Sequence, residues 1–290
     1  MIWFLLALGN AITNSAYQAY SNYAVSLKRY SKFSILFWSM ASSSILLFAV
    51  SWVLGFPEIR AGFWPAVLTT SILNFIAAPI LLKGYEIGEF SSVYSMILLT
   101  PVFVIVTAFI FLGEVPQMIG IFGIILTIIG LASLSGVTLK NYKEKWRFER
   151  GALLGAFVAL IYSVTVNFDK LSAKHSDAFF AAAMTAGTIA VLNGVYLLFK
   201  YRGSLSVKDF GLKSSYFWYL LPLGIISALA QVLHNSALLI GLVSYTIAIK
   251  RIGIVFGVIL GWIFFKEKDL GKKMLGATIA VCGVLLILLG

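Results

Sequence analysis

The sequence predicts an all-α integral membrane protein: ten transmembrane helices in two inverted five-helix repeats. Three observations predict it. Of the 290 residues, 60% are hydrophobic and 11% charged, whereas soluble domains carry about 25% charged residues. Apolar runs near the ~20 residues that a membrane-crossing helix needs recur along the chain. The last third repeats the middle at a constant offset of 153 residues: Gly88, Ser91, Phe103, Ile110, Phe111, Glu114, Gly123 and Gly130 reappear as Gly241, Ser244, Phe256, Ile263, Phe264, Glu267, Gly276 and Gly283.

The first apolar run covers residues 2–26. No Lys or Arg precedes it, and Asn10, Thr13, Asn14, Gln18 and Asn22 interrupt it, so it reads as a retained helix rather than a secretory signal. Runs at 33–55, 62–82, 90–112 and 117–137 complete a first set of five. Residues 138–150 form a basic linker, the longest polar interruption near the middle of the chain. Runs at 151–170, 178–199, 216–239, 244–265 and 274–290 form the second set. The expected domains are therefore 1–137 and 151–290 around that linker. An odd number of spans per half forces the second half to enter the membrane from the opposite side, which makes the repeats inverted. A fainter match at an offset of 146 relates Leu8, Gly9, Ser26 and Lys28 to Leu154, Gly155, Ser172 and Lys174.

The net charge of +11 is spread over membrane-flanking segments, which points to orientation rather than to nucleic acid. Segments 27–32, 83, 140–150, 200–213 and 266–273 hold 17 Lys and Arg, against Arg60, Lys170 and Lys174 on the other side. With ten spans, that bias puts the odd-numbered loops in the cytoplasm and both termini outside. Cys282 is the only cysteine, so neither an intrachain disulfide nor a cysteine metal cluster is expected. No cofactor is implied. The sequence has no HExxH, Gly-x-Ser-x-Gly or Walker motif, and no enzyme activity is expected.

Each repeat closes with an apolar helix, a Glu and a Gly-rich final helix. These are Phe109–Glu114 before Gly120, Gly123 and Gly130, and Trp262–Glu267 before Gly271, Gly276 and Gly283. Leu81-Leu-Lys-Gly-Tyr85, Ser91-Ser92 and Pro101 add to the pattern. Over essentially the whole chain these features resemble the EamA-type branch of the drug/metabolite transporter superfamily. The resemblance implies a ten-helix transporter and says little about its substrate. Two features depart from it. The charge bias places the termini outside, where the resemblance places them inside, and Ile254 stands where the first repeat has Pro101.

Lys250 and Arg251 are the sharpest local signal, because they interrupt an apolar run. A central Lys or Arg costs about 2.5–3.5 kcal/mol on insertion scales, so a pair is expected to face a hydrated cavity. Arg would offer a carboxylate or phosphate a planar fork, and Lys a compact charge. Alternatively, one side chain snorkels or pairs with a structural carboxylate. Gly253, Gly257 and Gly261 follow at four-residue spacing and read as a packing seam. Asn10, Asn14 and Tyr17 share one helix face, as do Gln231, His234 and Asn235. With Asn74, Tyr94 and Tyr162 they make a polar interior, although amides in spans also glue helices together. The expected substrate-binding set is Asn10, Asn14, Tyr17, Asn74, Tyr94, Tyr162, Gln231, Asn235, Lys250 and Arg251.

Glu114 and Glu267 recur at helix ends, as expected of residues that cap the following helix or pair across the repeat axis, with proton coupling as the alternative. Asp169, Asp177, Glu86 and Glu89 also read as helix-end residues, leaving no carboxylate at mid-membrane depth. The resemblance implies that proton-driven export of cations, in the related small multidrug transporters, needs a buried first-helix Glu. The first helix here offers Asn10 and Asn14 instead, so cationic drugs are disfavoured.

The function expected is secondary transport of a small polar metabolite, an amino acid or organic acid, across the plasma (inner) membrane by alternating access. The partners expected are that small molecule and membrane lipids, as a monomer or a homodimer. A flippase for an anionic lipid and a non-transporting sensor or assembly subunit are the alternatives.

Overall fold

A computed structural model describes residues 2–26, 32–87, 93, 96–134, 150–200, 214–253 and 270–290. The secondary structure among them is helical: α1 (Ile2–Ser26), α2 (Lys32–Leu54), α3 (Phe63–Ile87), α4 (Thr100–Leu112), α5 (Met118–Leu134), α6 (Arg150–Lys174), α7 (Ala178–Lys200), α8 (Ser214–Ile240), α9 (Val243–Arg251) and α10 (Leu270–Leu289). Among the described residues, five stretches are long and apolar enough to cross a membrane: Phe33–Leu54, Phe63–Leu81, Leu153–Lys174, Ala178–Lys200 and Leu220–Ile240. Thr100–Leu112, Met118–Ser133 and Thr278–Leu289 are shorter apolar helices. Large apolar side chains such as Trp52, Val53, Ile110, Phe122, Phe199 and Leu275 point outward. A helix satisfies its own backbone hydrogen bonds, so such a surface is stable against lipid tails.

Local chemistry sets the helix ends. Gly113 closes α4 in the left-handed region (φ 67°); its N–H returns to the Phe109 carbonyl at 3.0 Å, and the Glu114 N–H to that of Ala108 at 3.3 Å. A residue with a Cβ is disfavoured in that conformation. Asp177 caps α7, its Oδ1 accepting the Phe180 N–H at 2.7 Å. The turn before α3 is tied down by the Arg60 N–H, which donates to the His175 carbonyl at 2.9 Å.

The chain forms two compact units. The first comprises Met1–Ala11, Ile76–Asn167 and Ile240–Gly290, and the second Ile12–Phe75 and Phe168–Leu239. Each therefore draws on both sequence repeats. The boundary at Phe75–Ile76 falls inside α3. Pro79, four residues beyond Phe75, has no N–H to return to the Phe75 carbonyl, so the helix ladder lacks a bond at that boundary.

In the first unit α5 packs on α10. A Cβ on Gly123 would lie 2.6 Å from the Gly283 carbonyl oxygen, and one on Gly130 would lie 2.6 Å from that of Gly276. Between these positions, Thr127 Oγ1 donates to the Ala280 carbonyl at 3.5 Å. Contacts that advance along one helix while retreating along the other describe antiparallel packing. Because α5 and α10 are the same element of the two repeats, the repeats run in opposite directions. Small residues let the two backbones approach closely, the usual seam between helices in a membrane.

The second unit repeats the arrangement with α2 on α7. Ser44 Oγ donates to the Ala183 carbonyl at 2.8 Å, and Gly194 lies beside the Phe37 ring. Phe48 meets Phe180 edge to face. This pair is also antiparallel. Its core continues through Phe63, Val67, Ala173 and Ala181, and through Ala24, Ile35, Leu220 and Leu223.

Candidate functional site

The residues of the expected site fall in both units. Asn10, Tyr162, Lys250 and Arg251 belong to the first, and Asn14, Tyr17, Asn74, Gln231 and Asn235 to the second. Tyr94 lies outside the described residues, as do Gly257, Gly261 and Glu267.

In the first unit the expected continuous spans 90–112 and 244–265 are both interrupted, at equivalent places. Turns occur at Leu98–Leu99 before α4 and at Ile252 after α9. The cause in the first repeat is local. Pro101 has no N–H, so the Ile97 carbonyl, four residues earlier, cannot receive its usual helical bond. The Thr100 hydroxyl takes that place, donating to Ile97 O at 2.6 Å. Its oxygen also accepts from Arg251 Nη2 at 3.1 Å. Arg251, the last residue of α9, therefore meets the first residue of α4.

Tyr162 on α6 completes this group, within electrostatic reach of the Arg251 guanidinium. Arg251 and Lys250 are each half-buried, while Asn10 is buried at 1% exposure. One guanidinium, one threonine hydroxyl and one tyrosine hydroxyl thus converge from α9, α4 and α6. An Arg guanidinium offers a planar fork of N–H donors, the geometry that matches a carboxylate or phosphate.

The start of α9 is fixed by the other repeat. Glu114 Oε2 accepts the Val243 N–H at 2.8 Å, and the Tyr245 hydroxyl accepts the Gln117 N–H at 3.0 Å. Glu114 thus caps a helix, as its place at a helix end suggests. The helix is α9 of the second repeat, rather than α5, which follows Glu114 in the chain. Tyr245 also stacks on Trp3, with ring centroids 6.5 Å apart.

In the second unit the expected residues join helices. The Tyr17 hydroxyl lies 3.1 Å from Ser39 Oγ. Gln231 Nε2 donates to Ser43 Oγ and Ser227 Oγ, each at 3.0 Å. Asn235 Nδ2 donates to the Ala178 carbonyl at 3.3 Å. Asn74 is engaged within α3, donating to Thr70 O at 2.9 Å and to Thr70 Oγ1 at 3.2 Å. Asn14 is half-buried.

Reasoning from sequence missed a charged cluster here. Thr70 Oγ1 donates to Asp169 Oδ1 at 2.6 Å, and His234 Nε2 lies 3.6 Å from Asp169 Oδ2. Asp169 was expected to be a helix-end residue. It lies five positions inside the end of α6, with its side chain 17% exposed. Lys170, expected in a loop, is also within α6 and is 4% exposed. The signal was present in the chain, since Asp169, Lys170 and His234 all stand inside or beside apolar runs, but their partners could not be read from spacing.

A family model described as "EamA-like transporter family" matches residues 1–136 and 149–289. The chain belongs to the EamA-like transporter family. It is a multi-pass membrane transporter, consistent with its apolar helices, and the two matches correspond to its two repeats. A solved crystal structure of 15% identity is similar to it with a TM-score of 0.77, over 99% of this chain and 98% of that one. At that identity the likeness shows a shared fold alone. No curated protein matches the sequence.

Proposed function

We propose that this EamA-family transporter moves a small anionic or zwitterionic metabolite, an amino acid or organic acid, across the plasma membrane by alternating access. Ten spans in two inverted repeats provide two halves that can rock about a site. The observation that carries the substrate class is Arg251, held by Thr100 where α4 begins and α9 ends, with Tyr162 nearby. Transporters with inverted repeats bind substrate where spanning helices are interrupted, because the helix ends there offer unpaired polar groups. Arg251 supplies the fork for a carboxylate, Tyr162 a hydroxyl, and Lys250 a second cation beside them. Asn10 and Tyr94 belong to the same proposed set. The second-unit amides Asn14, Asn74, Gln231 and Asn235, with Tyr17, are proposed to line the remainder of the substrate path.

The test is counterflow in liposomes containing the purified chain, using a panel of radiolabelled amino acids and di- and tricarboxylic acids. Exchange of at least one compound is expected, with Arg251→Ala abolishing it and Arg251→Lys weakening it through loss of the bidentate fork. Absence of exchange across the panel sinks this reading. Exchange that survives Arg251→Ala unchanged removes Arg251 from the site.

A further inference from the structure

Asp169 and His234, both in the second unit, form a pair of ionisable side chains that is not among the residues of the proposed substrate-binding set. We propose that Asp169 and His234 bind the proton that couples transport to the proton gradient. This inference rests on the transport reading above.

Geometry and chemistry carry it. His234 Nε2 stands 3.6 Å from Asp169 Oδ2, with side-chain exposures of 11% and 17%, respectively. A carboxylate inside a membrane helix is costly unless it is paired or protonated, and intramembrane carboxylates and histidines mark proton relays. Thr70 donates to the other carboxylate oxygen at 2.6 Å and is itself contacted by Asn74. The carboxylate is therefore held in place by one side while its second oxygen faces the imidazole. A proton arriving from water bonds to the lone pair of Nε2, making an imidazolium beside the carboxylate and a neutral pair. Its departure to the opposite aqueous phase leaves a neutral imidazole and a carboxylate held by Thr70. The change is one whole charge inside the bundle, enough to bias which of two transporter states is favoured.

The surrounding groups permit this. Among the described contacts, Asp169 meets the uncharged Thr70 of α3, which in turn accepts from Asn74, and His234 of α8. On α6 itself Lys170 follows Asp169 in sequence and is buried. As the next residue on a helix it points about 100° away. Among the other described groups of this unit, Glu58 and Arg60 lie between α2 and α3, Lys174, His175 and Asp177 lie at the α6–α7 turn, and Lys200 ends α7. Asp169, His234 and Thr70 stand five, six and seven residues from the nearest end of α6, α8 and α3. At 1.5 Å per residue that is about 8–10 Å of helix, short enough for a proton to be delivered from one aqueous phase.

The experiment uses the full chain in liposomes with the pH dye pyranine inside and the same radiolabelled amino-acid and carboxylic-acid panel. Two modes are measured: exchange at equal pH, and net uptake driven by a one-unit pH difference. Wild-type protein is expected to concentrate a panel compound up to about tenfold per proton carried, with a matching pyranine signal. Asp169→Asn and His234→Gln are expected to keep equal-pH exchange, which also shows that they fold, and to lose both gradient-driven concentration and the pyranine signal. Wild-type exchange that ignores the pH difference overturns the proton site and leaves the transport reading standing. Loss of exchange together with net uptake in both variants overturns it too, assigning the pair a structural role. Absence of exchange in wild type ends the transport reading and this inference with it.

Discussion

Thr127 Oγ1 donates to the carbonyl oxygen of Ala280, the residue 153 positions further along the chain. The same interval relates the two repeats, so at this point each repeat touches its own counterpart. Gly123 beside Gly283 and Gly130 beside Gly276 flank the contact symmetrically. A residue meets its own counterpart where a two-fold axis passes through an antiparallel helix pair. The α5–α10 contact therefore contains the local axis of the inverted repeats.

Gly130→Val and Gly123→Val are accordingly expected to destabilise the protein. A Cβ on either residue meets backbone of α10, which cannot rotate aside as a side chain can. Overpacking of this kind costs about 1–3 kcal/mol. Thermal melting in detergent, followed by size-exclusion profiles, should show both variants well below wild type. Ile129→Val, on the outward face of α5 at 52% exposure, should melt within about 0.5 kcal/mol of wild type.

Glu114 and Tyr245 bind the first turn of α9 from both directions, one accepting from Val243 and the other from Gln117. Glu114→Ala is expected to cost about 0.5–2 kcal/mol, as loss of a helix cap does. Glu114→Gln should cost less, because its amide oxygen still accepts the Val243 N–H. Tyr245→Phe leaves the Gln117 N–H without its acceptor, at about 0.5–1.5 kcal/mol. Both contacts fix the same turn, so the Glu114→Ala, Tyr245→Phe double variant should be less destabilised than the sum. Additive melting losses would show that the two contacts act independently.

These contacts show what was legible in the chain. A constant difference of 153 is visible in a string of residues, whereas packing direction appears only when residues with a constant sum meet. Glu114 could be recognised as architectural because it recurs, yet the helix it caps lies 129 positions away. The interruption before α4 had a local signal, Thr100 followed by Pro101, because a proline orphans the fourth carbonyl before it and a neighbouring hydroxyl can satisfy that carbonyl. Asp169 and His234 had no local signal for their pairing, although both stand inside or beside apolar runs. They lie 65 positions apart in unrelated helices, and a carboxylate near the end of an apolar run looks like a helix boundary. Lys170 was misread for the same reason, since α6 continues to Lys174 beyond the point where hydropathy falls.

Thr100 should be more sensitive to the loss of its hydroxyl than to the loss of its methyl. Thr100→Ser keeps the donor to Ile97 and the acceptor for Arg251, and is expected to transport near wild-type rates. Thr100→Val loses both bonds while keeping the shape, and uptake of the panel compound should fall about tenfold or more, the effect of roughly 1.4 kcal/mol. Tyr162→Phe should raise the half-saturating concentration with a smaller change in maximal rate, since the hydroxyl sits beside Arg251 without anchoring it. Initial uptake rates across substrate concentrations distinguish these outcomes.

Orientation is expected to follow the charge bias. The placement of Lys170 within α6 leaves Arg60 and Lys174 as the cations of the less basic side, so the asymmetry is greater than the sequence count. The odd-numbered connections are then cytoplasmic and both termini outside. Cys282 is exposed on α10, so a Cys282→Ser background is needed before single cysteines are introduced. Glu58→Cys in the α2–α3 connection and Val115→Cys in the α4–α5 connection, both exposed positions, should react with a membrane-impermeant maleimide added to intact cells. Lys140→Cys in the central linker should react only after the cells are opened. The reverse pattern would place the termini inside, and the basic segments would then face outward against the usual bias.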